Sequence, residues 1–245
     1  MKRPRRTRAQ KAAENRSNLM RAAAEVVGEY GYAEASVSRI VERAGLAQGT
    51  FYLYFESRQD LFDKLLPEVG AGALSFIRDR IGDVPDFMTM EEKGMHAFFE
   101  YVVENPAYLR IFTEAEIAAP VAYEKYTADR FGRFLDRLTA AWRTGEVNGY
   151  AQRELAVLTQ IMLASRTYLY HHYAKTPKGV RPVPRWVIDA YIKFVRRGIG
   201  AAKAAGEKPA AKSKARLPAK AQASRRSPTR KPVAARRAES RAAAG

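Results

Sequence analysis

The side chains best placed to do chemistry lie in residues 36–55, SVSRIVERAGLAQGTFYLYF. Ser36 precedes Val37, Ile40, Val41 and Ala44, whose spacing of three and four marks one face of a short helix. A Ser at that place accepts hydrogen bonds from the first N–H groups of the helix. Gly45 ends it, and a second short helix fits Gln48–Tyr54. Two short helices about a glycine turn form the helix-turn-helix layout, whose second helix enters the DNA major groove. Gln48, Thr50, Tyr52 and Tyr54 offer polar groups to base edges or phosphates, and Gly49 lets a sugar-phosphate chain come close to the backbone. The same spacing also fits a helical hairpin with no nucleic-acid role. A basic arm upstream, with Arg3, Arg5, Arg6 and Arg8, favours the first reading.

Charge is unevenly spread. The chain has 245 residues with 43 Lys and Arg against 26 Asp and Glu, a net charge of +17. Residues 1–16 carry +6 and residues 201–245 carry +11, so the body between them is neutral. Long blocks of one sign commonly hold polyanions. Residues 201–245 have no aromatic residue and only Leu217 and Val233 as larger aliphatics, so they are expected to form a disordered basic tail. No stretch suggests a secretory signal or a membrane-spanning helix, and the expected location is cytoplasmic, on the nucleoid. With no Cys, no Gly-rich phosphate loop and no nucleophile elbow, no enzyme, cofactor or thiolate site is expected. Of the three His, the adjacent pair His171 and His172 would point about 100° apart on a helix, so no metal site is expected either.

The body reads as all helix, about nine in number. Leu19, Ala22, Ala23, Val26, Val27 and Tyr30 face the core from the first, which Gly31 stops. Ser57 caps a long fourth helix that Pro67 should kink or split. Further apolar stripes mark helices from Met95, Tyr108 and Tyr123, an eighth from Leu155 to His172 and a ninth from Val187 to Ile199. Leu155, Leu158, Met162, Ser165 and Leu169 step as a heptad-like seam.

Residues 18–62 also resemble a known family. Gly31-Tyr32, the cap Ser36, Ile40–Leu46, Gly49–Phe55 and Ser57-Arg58 are similar to the DNA-binding domain of TetR-type transcriptional regulators. The resemblance implies an all-α fold: an N-terminal three-helix domain with the helix-turn-helix, then a C-terminal helical domain for ligand binding and dimerisation. The expected divisions are 1–16 arm, 17–62 DNA-binding domain, 63–200 ligand and dimer domain, and 201–245 tail. By the same resemblance Ser36 caps the second helix beside a phosphate. Gln48, Gly49, Thr50 and Tyr52 lie in the groove, Tyr54 points at backbone or base, and Arg58 clamps a phosphate. Arg39 and Ala47 belong to the same DNA-facing set. Ile40, Ala44, Leu46, Phe51 and Phe55 are expected in the core. Two positions depart from the pattern. Ala47 stands where the family often has Ser or Pro, which removes a side-chain cap, and Gln48 replaces a frequent Lys.

The resemblance further implies a homodimer built from the last two long helices, with Leu155, Leu158, Met162 and Leu169 against Val187, Tyr191 and Val195. Those stripes are equally suited to the core of one chain. A small-molecule pocket would be lined by Phe99, Tyr101, Tyr108, Phe112, Tyr123, Tyr126 and Tyr170, with Glu116 and Arg166 as polar anchors. Such a lining suits an apolar or amphipathic effector. The function these features imply is a ligand-responsive repressor of double-stranded DNA whose effector acts through the fourth helix. An architectural DNA-binding protein dominated by its basic tail is the alternative.

Overall fold

A computed structural model describes residues 7–200. Arg3, Arg5, Arg6 and the tail from 201 onward therefore lie outside the described residues. Helix α1 spans Arg8–Tyr30 and begins inside the expected arm. Thr7 and Gln10 form a reciprocal capping box: the Thr7 hydroxyl accepts from Gln10 N–H and the Gln10 amide oxygen accepts from Thr7 N–H. Lys and Arg are good helix formers, so positive charge alone does not keep this stretch out of a helix.

Helix α2 (Val37–Ala44) is capped by Ser36, whose hydroxyl accepts from Arg39 N–H, and closes at Gly45 with φ 67°. Helix α3 covers only Gln48–Phe51, shorter than the expected Gln48–Tyr54. Beyond Phe51 the chain tightens: Leu53 N–H bonds Thr50 O and Tyr54 N–H bonds Phe51 O, the three-residue spacing that ends helices. Helix α4 (Arg58–Ile81) runs unbroken through Pro67. Pro67 and Asp63, whose carbonyl loses its donor, both lie on the exposed side, so the expected split does not occur.

The second half consists of α5 (Phe87–Glu104), α6 (Tyr108–Ala118), α7 (Pro120–Thr144), α8 (Leu155–Leu169) and α9 (Arg185–Ile199). The eighth helix does not reach His172 in α form. It widens at Tyr170–Ala174 into a π turn, followed by a small antiparallel hairpin that pairs Lys175 with Val180. Helix α4 packs against α1, α5, α6 and α7 and joins the two halves. One hydrophobic core runs from Leu19 to Ile199.

The expected dimer stripe is largely core. Leu155 and Met162 on α8, and Val187, Tyr191 and Val195 on α9, are buried within the single chain, while Leu158 and Leu169 are half-buried against the same core. A helix must first cover its own chain, so its most apolar row turns inward. The outward rows are different residues: Val157, Ile161 and Tyr168 on α8, Trp186 and Phe194 on α9.

Inside this half lies a buried ionic triad. Arg166 Nη2 sits 2.7 Å from Glu91 Oε2, and the Tyr191 hydroxyl donates to Glu91 Oε1 at 2.6 Å. Burial opposes the Arg166 charge, but the adjacent Glu91 outweighs it and raises the guanidinium pKa. Burial, then the negative Glu91, pushes the Tyr191 phenol far up, so it stays a donor.

Candidate nucleic-acid interface and effector cavities

The turn after α2 stands on two buried rings. Phe51 and Phe55 are almost wholly buried with centroids 5.4 Å apart, and Ile40 is buried with them. Ala44 and Leu46 are half-buried. Above this floor Ala47, Gln48, Gly49 and Tyr52 are exposed, and Thr50 is half-buried. Tyr52 leans edge-on against Phe51 at 5.3 Å. A side chain at Gly49 would meet nothing of the protein within 4 Å, so that face is open to an outside partner. Leu53, missed in the sequence, is 77% exposed on the same turn.

The flanking groups are more tied down than the sequence suggests. Tyr54 is half-buried, and its hydroxyl accepts from Asn15 Nδ2 at 3.4 Å, which anchors the end of the recognition turn to α1. Arg39 bonds the carbonyl of Glu34 at 2.8 Å and lies over the Tyr30 ring. Arg58 bonds Ala33 O at 3.4 Å and lies over Phe62. Both Arg39 and Arg58 are exposed, and the hydroxyl of the cap Ser36 pairs with that of Ser38. Arg8 is exposed in the first turn of α1.

Residues 19–65 match the family described as bacterial regulatory proteins, tetR family. The chain carries a TetR-family domain. The uncharacterized HTH-type transcriptional regulator YvdT of Bacillus subtilis is 42% identical over 72 residues, 29% of this chain and 37% of that one. The fatty acid metabolism regulator protein of the same organism is 37% identical over 75 residues, 31% of this chain and 37% of that one. The chain thus matches little more than a third of either relative. Likeness of fold extends much further. The crystal structure of the transcriptional regulator FadR from Bacillus subtilis in complex with stearoyl-CoA aligns with a TM-score of 0.55 at 20% identity, over 62% of this chain and 83% of that one.

In this TetR-type domain Ala47 is the cap of α3, with extended backbone and no side-chain hydrogen bond. Ala47→Ser is expected to stabilise the chain by about 1 kcal/mol. A rise in the thermal unfolding midpoint checks this; an unchanged midpoint would mean that the recognition turn gains nothing from a cap.

Two cavities lie behind the TetR-type domain. The first, about 720 Å³, lies among α6, α7 and α8 and is lined by Phe112, Glu116 and Tyr123 of the expected set. Its cation is Arg130, which lies over the Phe112 ring at 5.0 Å. Arg166, expected as an anchor, lines neither cavity because Glu91 and the Met162 carbonyl hold it in the core. The second, about 1000 Å³, opens between α1 and the α5–α6 junction and includes Tyr101 and Tyr170. Burial pushes the Tyr101 phenol up to about 12, and its hydroxyl donates to Val69 O. Phe99, Tyr108 and Tyr126 line neither cavity. The Tyr108 and Tyr126 hydroxyls pair at 3.0 Å, and the Tyr126 ring rests where a side chain on Gly70 would be. His171 borders both cavities. Burial, aided by Lys175, lowers its pKa, so it presents a neutral imidazole at pH 7.

Proposed function

We propose that the chain is a ligand-responsive transcriptional repressor that binds a pseudo-palindromic operator as a homodimer and leaves it when an amphipathic small molecule binds. The observation that carries this reading is the exposed turn Gln48–Leu53 seated on the buried Phe51 and Phe55. It offers an amide, two hydroxyls and an open backbone at Gly49 to a groove. Gln48 suits an adenine, whose N6 and N7 one amide can bond together. The outward rows of α8 and α9, with Ile161, Tyr168, Trp186 and Phe194, supply the dimer contact. A two-fold axis there puts two reading turns on half-sites about one DNA turn apart.

The cavity bounded by Phe112, Tyr123 and Phe131, with Arg130, Glu116 and Glu124 at its wall, suits a molecule with an apolar body and a polar end. The acyl-CoA bound to the Bacillus subtilis regulator makes a long-chain acyl thioester the first effector to try. The +11 charge on residues 201–245 favours the architectural reading as a second possibility.

Selection of bound duplexes from random sequence tests these readings together, run with and without stearoyl-CoA and repeated on a chain ending at 200. A two-fold motif that survives loss of the tail, and is released by the thioester, is the expected result. The shortened chain should lose general affinity and some salt dependence, because Lys and Arg on phosphates supply both. Loss of all sequence preference with the tail would support the architectural reading instead.

A further inference from the structure

The end of α1 is completed by a side chain from another helix. The last carbonyls of a helix have no partner within it. Here Arg110 of α6 donates from Nη1 to Gly28 O at 3.2 Å and Glu29 O at 2.8 Å. Its Nε sits 2.7 Å from Glu114 Oε1, and Glu114 Oε2 accepts the N–H of Tyr32 at 2.9 Å. Two residues of α6 therefore grip the chain on both sides of Gly31, which turns beneath them with φ 85°. A side chain at Gly31 would lie 2.7 Å from both Arg110 Nη2 and Glu114 Oε2, so only glycine lets the grip close. Just behind it, Gly28 meets Ala107 so closely that an added Cβ would lie 2.5 Å from the Ala107 Cβ.

This clasp faces two ways. Toward the reading surface, Tyr32 packs edge-on against Phe62 at 4.7 Å, and Ala33 O takes the hydrogen bond from Arg58. Three residues further on, Ser36 starts α2. Toward the other side, Gly28, Glu29, Arg110 and Glu114 all line the cavity of about 1000 Å³. An exposed i,i+4 ion pair is ordinarily of little consequence. This one differs because each partner also holds backbone of the DNA-binding domain.

We propose that Arg110 and Glu114 are positioning residues that couple the state of the cavity between α1 and α6 to the placement of α2 and α3, by a route beside α4. The proposal rests on the DNA-binding reading above. A displacement of α6 uncaps α1 and frees Tyr32 N–H, so the strand into α2 loses its fixed start. Linkage is reciprocal, and DNA held by α3 must therefore steady α6 in turn.

Hydrogen exchange on the full chain tests this, with a duplex recovered by selection as the only probe. In the parent chain, DNA is expected to slow exchange at 47–55 and also, by about fivefold or more, at 108–118. Arg110→Ala is expected to keep the protection at 47–55 and lose that at 108–118. Glu114→Gln keeps the shape and lacks the charge that holds Arg110, and it is expected to lose most of the distant protection too. The slope of affinity against salt should stay unchanged in both, because no phosphate contact is removed. Protection at 47–55 without protection at 108–118 in the parent chain, or protection at 108–118 that persists in both variants, overturns the clasp alone. Failure to recover any bound duplex overturns the DNA-binding reading and the clasp with it.

Discussion

Glu91→Ala is expected to lower stability by about 3–5 kcal/mol, a large share of the roughly 5–15 kcal/mol that holds an ordinary domain folded. Glu91 is 1% exposed, and its two carboxylate oxygens serve Arg166 and Tyr191 separately. Alanine would leave the buried guanidinium without a counter-charge and the Tyr191 hydroxyl without its acceptor. The pair itself contributes little net stability, since taking both ions out of water offsets most of their attraction. Glu91→Leu combined with Arg166→Met should therefore recover the part of the loss due to the unpaired ion, while the Tyr191 hydroxyl still lacks its acceptor. Urea unfolding of the single and double variants checks both statements. A single variant that loses less than about 1 kcal/mol would show that Arg166 finds water or another partner. Arg166 and Tyr191 lie on α8 and α9, so the triad also fixes the two helices whose outward rows carry the proposed dimer contact.

Phe51→Ala is the second large effect, expected at about 3–5 kcal/mol. Phe51 is fully buried, with Phe55 and Tyr52 against its ring. Helix α3 has only four residues and cannot hold its own shape, because short helices are unstable without packing. The ring is what seats it. Operator binding should fall with stability in Phe51→Ala and return with Phe51→Leu, which refills most of the space. Calorimetry together with a binding titration checks this. Full operator affinity in a Phe51→Ala chain shown to be folded would mean that the reading turn is held by its flanks instead, through Tyr54 and Asn15.

Local patterns were legible in the sequence and long-range pairings were not. Ser36, Gly45 and Ser57 announced their helix ends because a cap acts within three residues. The Thr7–Gln10 capping box is equally local but lies within the run of positive charge that marks the expected basic arm. Pro67 does not split its helix, because its effect depends on which side of the helix faces solvent, which the chain's own spacing does not decide. For α8 and α9 the apolar rows were visible, but not which row the chain would keep for itself. From the sequence Arg166 is expected as a polar anchor of the pocket; its partner Glu91 is 75 residues away, and no spacing rule joins them. In the reading turn, Gln48, Gly49 and Tyr52 are exposed as the motif implied, while the tie from Asn15 to Tyr54 spans 39 residues and left no local sign.

The borrowed cap on α1 bears on how this protein can be dissected. A fragment ending near residue 57 contains every residue of the helix-turn-helix but would lack Arg110, Glu114 and Ala107. Its first helix would end in bare carbonyls, and the amide of Tyr32 would lose its acceptor. The helix-turn-helix segment is thus not a portable cassette. Grafted onto a foreign effector domain, it would need a host helix with a cation and a carboxylate one turn apart at the same place.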